Sequence, residues 1–349
     1  MGSAAAQTSK DAGVEPLLIV QNGLYGYIDH SGRIVIPPQY LWAGDFSDGM
    51  ATVYLCGRNV SIDRQGNVWP LRLGPADALA PESSDGKAGF LDATGRWVIP
   101  PRYQDALPFS DGLAAVQVGG KWGFIDPSGK EVLAPRYDAA FYFNQGVAFV
   151  QSGDDRFQLI DKAGQVLARG LDMMNPPSEG LIAVSKGDKW GYLGLDGKFV
   201  IPPQFESVDS FSEGLATVRR GDKYGYIDRS GQVAVSFQFD RADQFLQGLA
   251  PVRLGDRSGF IDKSGQFVFE LDFEYATGFM FGDASRFWTK DERFGYVLTS
   301  GKVIWGPVRG SPDHPPLFGW TEEDKEKSCE GVPGLLRQRI ASFPPIPRD

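Results

Sequence analysis

The chain repeats itself, and nothing else in it constrains the fold as strongly. An aromatic–Gly–aromatic–aliphatic–Asp core, followed three residues later by Gly, recurs along most of its length. The trailing glycines are Gly32, Gly66, Gly95, Gly129, Gly164, Gly197, Gly231, Gly265 and Gly301, spaced 29 to 36 residues apart. The clearest cores read Lys121-Trp122-Gly123-Phe124-Ile125-Asp126, Lys189-Trp190-Gly191-Tyr192-Leu193 and Lys223-Tyr224-Gly225-Tyr226-Ile227-Asp228. Units two and five are worn, with Val60 and Gln158 in place of the central Gly.

Two further blocks keep the same period. One reads Phe109-Ser110-Asp111-Gly112-Leu113-Ala114-Ala115-Val116 and returns at Phe46–Val53, Phe143–Val150, Phe211–Val218 and Phe245–Val252. The other, Ile-Pro-Pro-x-aromatic, stands at Ile36–Tyr40, Ile99–Tyr103 and Ile201–Phe205. With blocks agreeing in order and spacing over roughly 17–301, the chain resembles the WG-repeat family, bacterial β-repeat proteins named for the pair seen at Trp122-Gly123 and Trp190-Gly191. Tyr25, Phe157, Tyr224 and Phe294 replace the Trp elsewhere, while Asn59, Ala88 and Ser258 depart further. The resemblance implies a β-rich array, usually without known catalysis.

The residues alone lead to the same architecture. Alternating Ala-x-Val-x runs through Asn22-Gly23, Gly119-Gly120, Gly187-Asp188, Gly221-Asp222 or Gly255-Asp256 into the core, a hairpin signature with residues that tolerate positive φ. The core strand ends at Asp-x-x-Gly, where the carboxylate can cap backbone N–H groups. A third strand, such as Trp97-Val98-Ile99, is predicted to stop at the Pro pair. Aliphatic residues at Ile28, Ile62, Leu91, Ile125, Ile160, Leu193, Ile227, Ile261 and Val297 mark a core face, and the Gly beside them lets a neighbouring unit approach. Ordering a residue costs about 1.5 kcal/mol, more than one three-stranded unit can offset by burial, so units must stack. The expectation is an all-β chain of about nine three-stranded hairpin repeats of some 34 residues in an open superhelical array. The alternative, a closed β-propeller-like ring, fits less well because propeller blades usually have four strands and number at most about eight.

Composition narrows the function. With 35 basic and 44 acidic residues and no basic stripe, a nucleic-acid partner is not expected. No run of eighteen apolar residues occurs, so no transmembrane segment is expected. No two glycines flank a single residue, Gly86-Lys87 leads into Ala88, and only His30 and His314 are histidines, without HExxH or CxxC. Dinucleotide fingerprints, phosphate loops, nucleophile–base triads and histidine-rich zinc sites thus lack their residues, and neither cofactor nor metal is expected. The column Asp29, Asp63, Asp92, Asp126, Asp161, Asp228 and Asp262 reads as turn caps rather than calcium ligands, since each turn offers one carboxylate. A hydrolase would show itself as two close carboxylates outside the period.

Two functional readings follow. The first is a non-enzymatic scaffold that holds a protein or peptide on a long repeat surface. The second is carbohydrate or cell-wall binding by an aromatic ladder, with Tyr25, Trp122, Trp190, Tyr224 and Phe294 as candidate binding residues; the same aromatics could instead pack between units. Residues 1–16 read as a leader without a secretory signal's charged start and apolar middle, 17–305 as the repeat domain, and 306–349 as a Pro-rich cap or tail whose stretch Thr321–Glu330 suits one short helix and whose Phe343–Pro347 suits an extended peptide ligand. The acidic composition and a start read as trimmed favour the bacterial envelope or secretion. Cys56 and Cys329 are two free thiols in the simpler reading and one long-range disulfide in the other.

Overall fold

The computed structural model describes residues 14–70, 79–92, 96–153, 156–309, 326–330 and 332–342. Gly95, His314, Trp320, Phe343–Pro347 and most of the leader lie outside them. Among the described residues the strands form nine antiparallel sheets, one per repeat. Their core strands are Leu24–Ile28, Arg58–Asp63, Lys87–Leu91, Lys121–Ile125, Phe157–Asp161, Lys189–Gly194, Lys223–Asp228, Arg257–Ile261 and Arg293–Leu298, here modules one to nine.

Six sheets carry a fourth strand that the sequence reading did not place. In module four it is Asp105–Ala106, ahead of Ala114–Val118, Lys121–Ile125 and Glu131–Tyr137. It arises because the third strand does not stop at the Pro pair. Trp97–Tyr103 runs through Pro100 and Pro101 at the edge of its sheet, where a missing N–H costs no ladder bond, and one residue later the chain opens the next sheet. A two-residue strand is too short to leave a period in the sequence.

The central glycine does not meet the neighbouring module that was expected to approach it. A Cβ on the central Gly191 would lie 2.4 Å from Ile201 O and 2.6 Å from Pro203 N, atoms of its own module's third strand. That strand bulges here, its register slipping between Trp190 and Tyr192, and the bulge presses backbone onto the glycine. Module five has Gln158 instead, lacks the Pro pair, and pairs Gln158 with Arg169. The trailing glycines touch the preceding module: Gly231 faces the Ile201 side chain and Gly265 that of Val235.

The chain divides into two compact units, 1–71 with 272–346 and 72–271 with 347–349. The second holds modules three to eight. Within it, sheets pack face to face on their neighbours in sequence: Ile125 joins Phe90, Ile99 and Val116 on one side of module four, while Phe124 joins Phe143, Ala148 and Ile160 on the other. The Phe of the second block inserts against the preceding core aromatic, with ring centroids 4.8 Å apart in Phe90–Phe109, Phe124–Phe143 and Tyr192–Phe211 and 4.7 Å in Tyr226–Phe245. The aliphatic column is core in every module, with only Leu91 half-buried.

The first unit joins modules one and two to module nine. Gly32 packs on Ile304 as Gly197 packs on Leu167 within the second unit, and Tyr296 OH donates to Leu18 O at 2.9 Å. Module one therefore sits on module nine as other modules sit on their predecessors. This overturns the open superhelical array in favour of the closed, propeller-like alternative. The free-thiol reading is overturned as well: Cys56, at the tip of a hairpin, is bonded to Cys329. Beside that disulfide Gly57 N donates to Ser328 Oγ at 2.9 Å, and Arg58 Nη1 donates to Ile340 O in the helix Gly334–Ala341. Ile340 is buried in the unit's core, so this part of the tail is a docked cap.

Candidate functional site

The five aromatics singled out from the sequence do not form an exposed ladder. Tyr25 and Phe294 are buried in the first unit's core. Trp122, Trp190 and Tyr224 are half-buried, each packed on the cluster around the core aromatic two residues later.

The periodic carboxylates are engaged as well. Asp228 Oδ1 accepts the N–H groups of Ser230 at 2.9 Å and Gln232 at 3.0 Å, and Asp126 does the same with Ser128 and Lys130. The Ser128 hydroxyl, with those N–H groups, holds the Asp126 carboxyl below its ordinary range. A second set links module to module. Asp111, Gln145, Glu179 and Glu213 each accept the Gly N–H of the following module, Gly146 at 2.6 Å, Gly180 at 3.2 Å, Gly214 at 3.1 Å and Gly248 at 3.0 Å. Lys162, Arg229 and Lys263 then donate to the carbonyls of Asp111, Glu179 and Glu213. Glu15, assigned to the leader in the sequence, does this for module one, accepting from Gly49 N at 2.8 Å and pairing with Arg64.

A third set escaped the sequence reading although its spacing signals it. Gln104, Asp138, Asp172, Glu206 and Asp240 recur every 34 residues, at the single position between one sheet and the next. Each accepts the N–H of a Gly in the following hairpin or loop: Gly120, Gly153, Gly187, Gly221 and Gly255. The three acids Asp138, Glu206 and Asp240 also meet the Lys that opens the core, Lys121, Lys189 and Lys223.

Asp209 and Asp243 belong to none of these sets and are crowded by protein. Asp209 N donates to Thr217 O at 2.9 Å and Asp243 N to Pro251 O at 3.1 Å, placing both acids at the same point of modules seven and eight. The bonding that defines this point puts Gly44, Leu107, Phe141, Asn175 and Thr277 there in other modules. The preceding tyrosines clamp the two backbones: Tyr192 OH donates to Asp209 O at 2.7 Å and Tyr226 OH to Asp243 O at 2.8 Å. Water reaches Asp209, and Asp243 is half-buried, yet protein crowds both. That burial, with the nearby Asp243 charge, pushes the Asp209 carboxyl up to about 6, and burial raises Asp243 too. No ion pair among the described residues compensates either acid. The Thr217 hydroxyl, on a residue only 1% exposed, faces Asp209 and the Tyr226 hydroxyl without a formed hydrogen bond.

Nine small antiparallel sheets among the described residues, stacked face to face within each unit, define a β-propeller-like repeat fold. The chain belongs to the WG containing repeat family, whose pattern matches residues 25–55, 89–122, 122–154, 159–190, 190–224, 224–257 and 259–284. No curated protein sequence matches it. Its fold resembles that of a eukaryotic initiation factor, with a TM-score of 0.55 at 10% identity over 83% of this chain and 94% of that one. BamB from Moraxella catarrhalis is a more distant likeness, with a TM-score of 0.39 at 11% identity over 72% and 93%. No helix among the described residues is long and apolar enough to cross a membrane.

Proposed function

We propose that this protein is a non-enzymatic scaffold that binds a protein or peptide partner. The observation that carries this reading is a periodic exposed apolar strip on the third strands. Val98, Val132, Val200 and Val268 stand at one position of their modules and are 42–52% exposed, with Trp97 and Phe199 exposed beside two of them. Apolar side chains repeated at an accessible sheet edge are surface offered to a partner. The exposed aromatics Trp69, Trp97, Phe141, Tyr142, Phe199 and Tyr275 do not share one position of their modules and so make no regular ladder for sugars, which disfavours carbohydrate binding. The disulfide suits an oxidising compartment such as the cell envelope or the exterior.

The reading is tested by affinity capture from a bacterial lysate with the wild-type chain and a V98D/V132D/V200D variant, beside a glycan array. The scaffold reading expects captured proteins that the variant loses and no glycan signal. Glycan binding, or capture indifferent to the variant, contradicts it.

A further inference from the structure

Module nine shows what belongs beside Asp209 and Asp243. Strand register pairs Thr217 with Tyr226 in module seven and Arg286 with Tyr296 in module nine, so Arg286 occupies the position of Thr217. The Arg286 guanidinium is 3% exposed. It donates to Tyr296 OH through Nη2 at 2.6 Å and Nε at 2.9 Å, and to Asp45 Oδ1 at 2.6 Å. A planar cation thus lies against the core tyrosine hydroxyl and an acid. Module seven keeps the tyrosine, brings two acids instead of one, and replaces the arginine by a small hydroxyl that has no partner of its own. The acceptors for a guanidinium are in place, and no guanidinium among the described residues pairs with them.

We infer that the Asp209 and Asp243 carboxylates, over the buried Thr217 and Tyr226 hydroxyls, receive the guanidinium of an arginine presented by a peptide partner, an assignment that rests on the scaffold reading above. Two carboxylates match the fork of an arginine better than the point charge of a lysine. A divalent cation is the poorer fit, since a hard ion needs about six oxygen ligands and two acids with two hydroxyls fall short.

The test titrates the full-length chain with Nα-acetylarginine amide, followed by NMR and calorimetry at pH 7.4. Saturable binding is expected in about the millimolar range for so small a probe. Binding should weaken at least tenfold in D209N and in D243N, and be abolished in T217R, which supplies the missing cation from within. Retained circular dichroism and melting cooperativity in T217R and D209N separate loss of the site from loss of the fold. Acetyllysine amide should bind more weakly. Absence of saturable arginine binding, binding unchanged in D209N and T217R, or displacement of the probe by stoichiometric calcium would overturn the assignment. Tighter binding of free arginine than of the blocked amide would overturn the peptide source. Failure of the apolar strip in lysate capture with intact arginine binding sinks the scaffold reading and leaves the arginine site; the reverse sinks the arginine site alone.

Discussion

The seam between modules nine and one and the seams inside the second unit are built to one plan with different parts. In the second unit a Lys or Arg after the turn reaches back to the acid of the preceding module, as Lys263 does to Glu213. At the closing seam His30 takes the cation's place and pairs with Asp283, while its Nε2 meets Glu15 O at 3.1 Å. The trailing-glycine contact is kept, with Gly32 on Ile304. What differs is reinforcement. The closing seam adds the Arg286–Asp45 pair, and its unit carries the Cys56–Cys329 bond and the docked helix. Neighbours along the chain stay close without help, whereas the first and last modules lose that advantage and meet only at the cost of closing a loop.

The largest expected effect breaks this difference directly. Arg286→Ala leaves a cavity and strips two donors from the buried Tyr296 hydroxyl, while Asp45, 40% exposed, keeps water, and should cost about 2–4 kcal/mol. Urea denaturation with a tryptophan probe in each unit should show the first unit unfolding earlier. Cys329→Ser releases a crosslink between residues 273 apart in sequence and should cost about 2–4 kcal/mol in the same assay. Gly191→Ala drives a Cβ into the backbone of Ile201 and Pro203 and should cost about 1–3 kcal/mol. Gln158→Gly, in the module whose third strand pairs with that position through Arg169, should recover nothing. His30→Ala loses a contact with a well-exposed acid and should cost about 0.2–1 kcal/mol, with His30→Lys close to wild type.

A smaller effect is read by pH. The folded Asp209 carboxyl at about 6 lies above the ordinary Asp value of about 3.9. The fold therefore binds this proton more tightly than the unfolded chain. The resulting stabilisation is complete below about pH 4 and is lost as the pH rises through about 6. Asp209→Asn should flatten the melting temperature across that window and raise it slightly at pH 7. Arginine binding to the wild type should fall over the same window as the pH is lowered.

Legibility in the sequence followed repetition. The period, the aliphatic column and the Asp turn caps were readable because nine copies average out local accidents. Recurrence does not say which neighbour a residue touches, and for that reason the central glycine was assigned to a neighbouring module instead of its own third strand. Hairpin turns were placed correctly, but in Gly187-Asp188 only the Gly adopts positive φ, whereas Asn22 and Gly23 both do. The Asp138 to Asp240 column was visible in principle at its constant spacing, hidden only because isolated acids look like surface charge. Asp209 and Asp243 carried no signal, since their meaning comes from the strand that places Thr217 beside them. The disulfide joins cysteines that only the folded chain brings together.

The meeting of the first and last modules is tested most directly by a distance. Spin labels on Ser31→Cys and Lys302→Cys, in a chain whose native cysteines are replaced by Ser, flank the Gly32–Ile304 contact. Electron–electron resonance should give one narrow distribution within about 25 Å, set by the label linkers around that contact. Sheets stack about 10 Å apart, so nine modules in an open file would hold the labels about 80 Å from each other, and a broad distribution near that value would contradict the account.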